Sequence, residues 1–427
     1  METNWLHPRE ELVNTMQRIY RYRMTTTSGG NLSILDPDGG IWITPSRVDK
    51  GRLTPGDIVC MQADGTRVGN HPPSSEFPFH REIYKRRPDI KAIVHAHPGA
   101  LVAFSICRVI PDTRVQAHAF EVCGKVAYAP YACPGTEELG AKIAETFAQG
   151  ADCVMLENHG VVIGGRDLKE AFQRFETLEF VAQTLVKAGA LGPIKSLPLS
   201  ALENQPLPHF APMAVREPTN KERALRSQVC EFIQRSYRQR LLISTAGAFS
   251  VRTEGDEFLV TPRRRDRLEL TPPGLVRARL GACEVGQSPS RAALLHSLIL
   301  KNNPDVGAVI NAQPAHASAF CMSDSKLSSR TIPESYIVLR EVPVLKHACI
   351  VRQAEEIAAQ VSLGKCPVVL IENEGALVLG RDLLDAFDRL EVLEATAEAL
   401  LMSRPIGPLV PMPDSALDEL RRVFKMD

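Results

Sequence analysis

The chain has 427 residues, 44% hydrophobic and 23% charged, with 50 Lys and Arg against 50 Asp and Glu. That length supports two or three domains with proper cores, and the mix is that of a soluble globular protein. The even charge balance argues against nucleic acid or an anionic membrane as the main partner, and no apolar run is long enough to span a bilayer, so a small-molecule partner is expected.

Residues 1–23 are rich in charge and lack an apolar leader core. They read as an opening helix, with Leu12, Met16, Ile19 and Tyr20 at helical spacing. Short strands are expected at NLSIL (31–35), IWITP (41–45) and IVCM (58–61), then a helix over Glu76 to Arg86 and a strand over Lys91 to His97. Further strands are expected near VAYAP (126–130), CVMLEN (153–158) and VVIGG (161–165). A long amphipathic helix runs from Asp167, its N-cap, to Lys187. Short strands and few helices predict an α/β domain with a mixed sheet and helices on its faces. The 10 cysteines are scattered, with no CxxC pair, and several such as Cys153 and Cys366 lie in apolar runs. This suits a reducing cytoplasm and argues against a disulfide scaffold or a thiolate zinc site.

The chain also repeats itself. SGGNLSI (28–34) matches TAGAFSV (245–251), and RPDIKAIVHAHP (87–98) matches NPDVGAVINAQP (303–314). LENHGVVIGGRDLKEAF (156–172) matches IENEGALVLGRDLLDAF (371–387), in the same order and at nearly constant spacing. Each repeat is domain-sized, so this is a tandem duplication, not a solenoid. The expected division is a domain over 1–204, a proline-rich linker over 205–219 and a second domain over 220–427.

His95 and His97 stand two apart on a strand, so both imidazoles project from one face. His159 follows a later strand, and the glycine after it permits a sharp turn. Three histidines with an open position suit a catalytic divalent metal, and Glu76 is placed to act beside it as ligand or acid–base group. The second copy has Ala292, Asn311, Gln313 and Glu374 at the four positions. Their joint replacement marks them as one unit. His80, retained as His296, is read as structural. Gly30, Asn31, Ser46, Arg47, Ser74 and Ser75 lie at glycine-rich turns and a helix start, as an anion cradle requires. In the second copy Asn31 gives way to Ala248, Ser46 to Arg263 and Ser75 to Arg291.

In order, SGGN, ITPS, PSSE with its following histidine, VHAHP and ENHG resemble the class II aldolase/adducin family, in particular its fuculose-1-phosphate aldolase-like members. The resemblance covers about Leu12 to Ala188 and, as a degenerate copy, about Arg223 to Met402. It implies two tandem three-layer α/β/α domains, each around a mainly antiparallel central sheet. It also implies a divalent metal, zinc first, with manganese, iron or cobalt acceptable, held by His95, His97 and His159. Glu76 becomes the acid–base group, and Gly30, Asn31, Ser46, Ser74 and Ser75 the phosphate cradle. Arg47 stands where the aldolases often have glycine, and could meet a phosphate or a carboxylate.

The implied reaction is aldehyde-lyase cleavage of a small sugar phosphate of ketose 1-phosphate type, through a metal-stabilised enediolate. Epimerisation and 3-oxo-acid decarboxylation share that logic. The family's epimerases carry an aspartate after the HAHP strand, whereas residues 115–124 offer only His118 and Glu121. Adducin-like scaffolds lack the metal ligands, which the first copy keeps. The family's tetramers imply a homo-oligomer, a dimer forming a pseudo-fourfold ring in which the second domain is a pseudoenzyme partner.

Overall fold

A computed structural model describes residues 5–203, 205–346 and 349–426. The chain divides into two compact units, Met1–Thr113 with Ala119–Gln183, and Arg114–His118 with Thr184–Asp427.

The first repeat runs α1 (Pro8–Arg21), β1 (Asn31–Leu35), β2 (Ile41–Ile43), β3 (Val59–Met61), β4 (Arg67–Val68), α2 (Phe77–Arg86), β5 (Ala92–Ala96) and α3 (Gly99–Ile106). It continues through α4 (Ala117–Cys123), β6 (Val126–Ala129), α5 (Glu137–Ala148), β7 (Cys153–Leu156), β8 (Val161–Gly165) and α6 (Leu168–Gly189). The strands form one sheet in the order β4-β3-β2-β1-β5-β8-β7-β6, antiparallel except at β6–β7.

The layering follows from the period of two along β5. Ala92, Val94 and Ala96 pack with Leu12, Met16 and Ile19 of α1 and Leu168, Phe172 and Phe175 of α6. Ile93 faces the other way, into a second core with Phe79, Ile83 and Tyr84 of α2 and Leu139, Ile143 and Phe147 of α5. The sheet therefore has a helical layer on each face. Each fully buried Leu, Ile or Phe contributes about 1.5–3 kcal/mol. β5, between β1 and β8, is buried along its whole length.

After it come α7 (Leu199–Leu202), β9 (Ala211–Met213), α8 (Asn220–Arg238), β10 (Ala248–Arg252), β11 (Phe258–Val260), β12 (Val276–Arg279) and β13 (Ala282–Glu284). Then follow α9 (Ala293–Asn302), β14 (Ala308–Ala312), α10 (Ala315–Cys321), α11 (Pro333–Leu339), β15 (Val344–Leu345), α12 (Ala354–Ala358), β16 (Val368–Ile371), β17 (Gly375–Gly380), α13 (Leu383–Ser403) and α14 (Asp414–Val423). The sheet order is β15-β16-β17-β14-β10-β11-β12-β13-β9. Strand for strand this repeats the first sheet, with β9 added in parallel to β13. β9 lies within residues 205–219.

The opening helix, the expected strands and the closing helix are all present, and Asp167 Oδ1 accepts the Glu170 amide as a cap should. β4, α3, α4 and α5 were not anticipated. α2 starts at Phe77, one residue later than expected. The Glu76 amide instead donates to Ser74 Oγ at 3.2 Å, and the Glu76 side chain makes no capping bond. That carboxylate is left to face the sheet. Among the described residues no helix is long and apolar enough to cross a membrane.

Candidate metal centre

His95 is fully buried on β5. Its Nδ1 lies 2.9 Å from the Val161 carbonyl of β8. A carbonyl only accepts, so Nδ1 carries the proton and Nε2 presents a lone pair. Past the end of the strand, His97 projects from the same face, with its Nε2 3.1 Å from His95 Nε2. Its ring is admitted by glycines: a Cβ on Gly160 would stand 2.6 Å from both the Ala96 carbonyl oxygen and His97 Cδ2. His159 arrives from the turn after β7, where Asn158 takes a left-handed φ of 52°. The His159 amide is held by Leu156 O and by Ser105 Oγ. One ligand atom from each of the three imidazoles lies within 4.8 Å of the others. Among the described residues this is the group able to hold a metal ion.

Glu76 is buried beside them. Its Oε2 is 3.1 Å from His95 Nε2, and its Oε1 is 3.6 Å from His159 Nε2. Asn31 Nδ2 donates to Oε2 at 2.8 Å, because the antiparallel register places Asn31 directly opposite His95. Oε1 is buried without a hydrogen-bond partner among the described residues.

The electrostatics ask for a cation at the centre. A neutral His95 turns its Nε2 lone pair toward a carboxylate oxygen of Glu76 at 3.1 Å, two acceptors that repel each other. Two imidazole nitrogens sharing a tetrahedral ion stand about 3.3 Å apart, close to the spacing of the His95–His97 pair. Burial opposes charge on His95, yet the Glu76 carboxylate and the Val161 contact carry it above the ordinary histidine range. Burial pushes His97 down to about 3, helped by the charge on His95 and His159. Burial and then His95 push His159 down to about 4. For Glu76 burial alone would raise the carboxyl, but His95, His159 and Asn31 together hold it well below the usual carboxylate range. The donor set fits a divalent ion.

Four of the expected cradle residues, Ser46, Arg47, Ser74 and Ser75, fall on two zipped loops. Ser74 N donates to Thr44 O, Ser46 N to Pro72 O, and Pro45 bridges Pro73. This brings residues 44–47 and 72–75 side by side. Arg47 and Ser75 are exposed, Ser46 is half-buried, and Ser74 is buried as the cap of Glu76. Gly30 has φ 72°, and a Cβ there would meet His95 O at 2.6 Å. Asn31 is buried, with its side chain turned to Glu76 and to His80, whose Nε2 lies 2.5 Å from Asn31 Oδ1. Sequence reasoning missed the contacts of Asn31, Ser33, His80 and Tyr84. The signal was two polar residues, Asn31 and Ser33, on one face of a strand otherwise apolar on that side.

In the second unit Arg291 Nη2 donates to both oxygens of Glu374, at 2.7 and 2.8 Å. Asn311 accepts from His296 Nε2 at 2.8 Å. An ion pair internal to the protein stands where the first unit gathers its ligands.

Fold and site together define an α/β protein with one three-histidine centre, consistent with a divalent metal, beside a buried carboxylate. Residues 10–186 and 227–401 both match the family described as Class II Aldolase and Adducin N-terminal domain, and the chain belongs to that family. The chain is 32% identical over 185 residues to a 3-oxo-tetronate 4-phosphate decarboxylase of Escherichia coli (strain K12), covering 42% of this chain and 87% of that protein. It is 33% identical over 200 residues to a 5-deoxy-D-ribulose 1-phosphate aldolase of Bacillus thuringiensis, covering 46% and 92%. It is 35% identical over 176 residues to an L-fuculose phosphate aldolase of Methanococcus maripaludis, covering 40% and 93%.

Proposed function

We propose that the first unit is a metal-dependent aldehyde-lyase acting on a small sugar phosphate of ketose 1-phosphate type. His95, His97 and His159 hold the ion and Glu76 is the acid–base group. The observation that carries this reading is the convergence of three imidazoles, with ligand atoms within 4.8 Å of one another, beside the buried Glu76 carboxylate. A divalent ion, zinc first, supplies Lewis-acid polarisation of the substrate carbonyl. The chain's own residues do the rest. Ser46, Arg47, Ser74 and Ser75 on the zipped loops, with Gly30 and Asn31 at the start of β1, take the phosphate. Glu76, ionised at rest, accepts a proton at Oε1 and returns it to the carbon released by cleavage.

A second reading is favoured by the decarboxylase among the relatives: loss of carbon dioxide from a phosphorylated 3-oxo acid at the same site. The exposed Arg47 would then meet the leaving carboxylate. An adducin-like scaffold without catalysis is the competing class, and the intact ligand set speaks against it. A cytoplasmic homo-oligomer is part of the proposal, and a stable monomer in sedimentation would remove the oligomer.

The test is metal analysis of the purified chain together with a screen of ketose 1-phosphates and phosphorylated 3-oxo acids for cleavage. Bound zinc lost in His95→Ala, with turnover of one substrate class, is the expected result. Glu76→Gln should keep the zinc and lose about 10²–10⁴-fold in turnover. Unchanged metal content in His95→Ala would reject the site.

A further inference from the structure

A chain of buried hydrogen bonds runs behind Glu76. Tyr84 Oη lies 2.6 Å from Ser33 Oγ, and Ser33 Oγ lies 2.7 Å from His80 Nδ1. His80 Nε2 meets Asn31 Oδ1, and Asn31 Nδ2 meets Glu76 Oε2. The carboxylate fixes every proton in it. An anion accepts, so the Asn31 amide must turn its NH₂ to Glu76 and its carbonyl to His80. His80 therefore carries its proton on Nε2. Its bare Nδ1 accepts from the Ser33 hydroxyl, which in turn accepts from Tyr84. Only one arrangement satisfies all five groups. Burial, and then the charge on His95, push His80 down to about 3, which keeps it neutral. The chain pins Oε2 and leaves Oε1, 3.6 Å from His159 Nε2, without a hydrogen bond among the described residues.

The second unit supplies the contrast. Ser250 and His296 keep the same contact, at 2.7 Å. The residues that extend the first unit's chain at either end are gone: Ala248 stands for Asn31, Leu300 for Tyr84, and Ala292 for Glu76 itself. His296 turns to Asn311 instead. The serine–histidine pair survives without the carboxylate, whereas the link that delivers it to the carboxylate does not.

We propose that Asn31 and His80 are positioning residues that anchor Glu76 through Oε2, so that Oε1 is the oxygen that exchanges a proton with substrate carbon. This rests on the lyase reading above. It also gives the Asn31 side chain a duty other than phosphate binding.

Dihydroxyacetone phosphate is a suitable probe, because both ketose 1-phosphate cleavage and loss of carbon dioxide from a 3-oxo acid 4-phosphate would release it. In D₂O the Glu76 carboxylate takes a proton from the hydroxymethyl carbon, becomes a carboxylic acid, exchanges with solvent and returns a deuteron. The full-length zinc-loaded chain is followed by NMR for loss of that C–H signal. Asn31→Ala should lower the saturated exchange rate at least tenfold, with the half-saturating concentration within about threefold of wild type and the zinc content unchanged. Tyr84→Phe and Ser33→Ala, which remove only hydroxyls, should show smaller falls of the same kind.

A phosphate contact predicts the reverse for Asn31→Ala: a raised half-saturating concentration with the rate kept. That result, an unchanged rate, or loss of zinc overturns this proposal alone. If Asn31→Ala does not fold, unchanged exchange in both Tyr84→Phe and Ser33→Ala overturns it. A wild-type chain that binds zinc and exchanges nothing overturns the lyase reading and this proposal with it.

Discussion

His95 has two demands on one ring. Its Nδ1 is committed to Val161, and its Nε2 faces Glu76 and His97. With no metal bound, burial opposes a proton on His95, but the Glu76 carboxylate and the Val161 carbonyl raise its proton affinity overall. An ion needs the same lone pair, so binding must expel that proton. The sign follows. Zinc affinity rises with pH up to the His95 range and flattens above it. About one proton is released per zinc below that range and none well above it. His97 and His159, at about 3 and 4, add nothing until far lower pH. Calorimetry in buffers of different ionisation enthalpy measures this directly, and proton release that grew toward high pH would contradict it. The three histidines were legible because two stand two apart on one strand and the third precedes a glycine after another strand. The Asn31–Glu76 contact was not, because it depends on β1 and β5 pairing with residue 31 opposite residue 95.

Elements place these side chains by close approach of backbone. β8 comes near enough to the end of β5 that residue 160 has no room for a methyl group. Gly160→Ala must displace Ala96 or the His97 ring. Zinc affinity should fall about 10–100-fold, as when groups that orient a ligand are lost. Gly99→Ala, at the first residue of α3 with nothing within 4 Å, is the matched control and should leave affinity unchanged. A metal titration of the two proteins distinguishes them. The first unit's strands other than β4 were readable from their short apolar runs, whereas β4 is only the exposed pair Arg67–Val68. α5 carried a clear signal that was passed over: Leu139, Ile143 and Phe147 at helical spacing behind Thr136, whose side chain caps the helix. α3 is short and apolar almost throughout, so it offers no helical period to read.

At the scale of the whole molecule, two units share one sheet order, and among the described residues the first alone gathers a histidine triad able to hold a metal ion. Zinc should saturate at one ion per chain, not two. Arg291→Ala leaves the largely buried Glu374 carboxylate without its bidentate donor and should destabilise the second unit by about 1–3 kcal/mol. The zinc content should stay the same. Replacing Arg291 and Glu374 together by apolar residues of similar volume should recover most of that loss. Denaturant unfolding of the single and double variants gives both numbers, and a double variant no more stable than Arg291→Ala would contradict the pairing argument. The duplication was legible because its matched blocks keep their order, while β9 was not, because its prolines and brevity hide a strand.

The Arg291–Glu374 pair also bears on reversion. Restoring histidine at 374 removes the bidentate carboxylate that Arg291 holds, and changing Arg291 first exposes the cost of Glu374. Neither step recovers an ion, because Ala292, Asn311 and Gln313 would still be in place. A first step at either residue of the pair thus costs stability with no ion gained in return. Selection acting one substitution at a time therefore meets a ratchet at this pair.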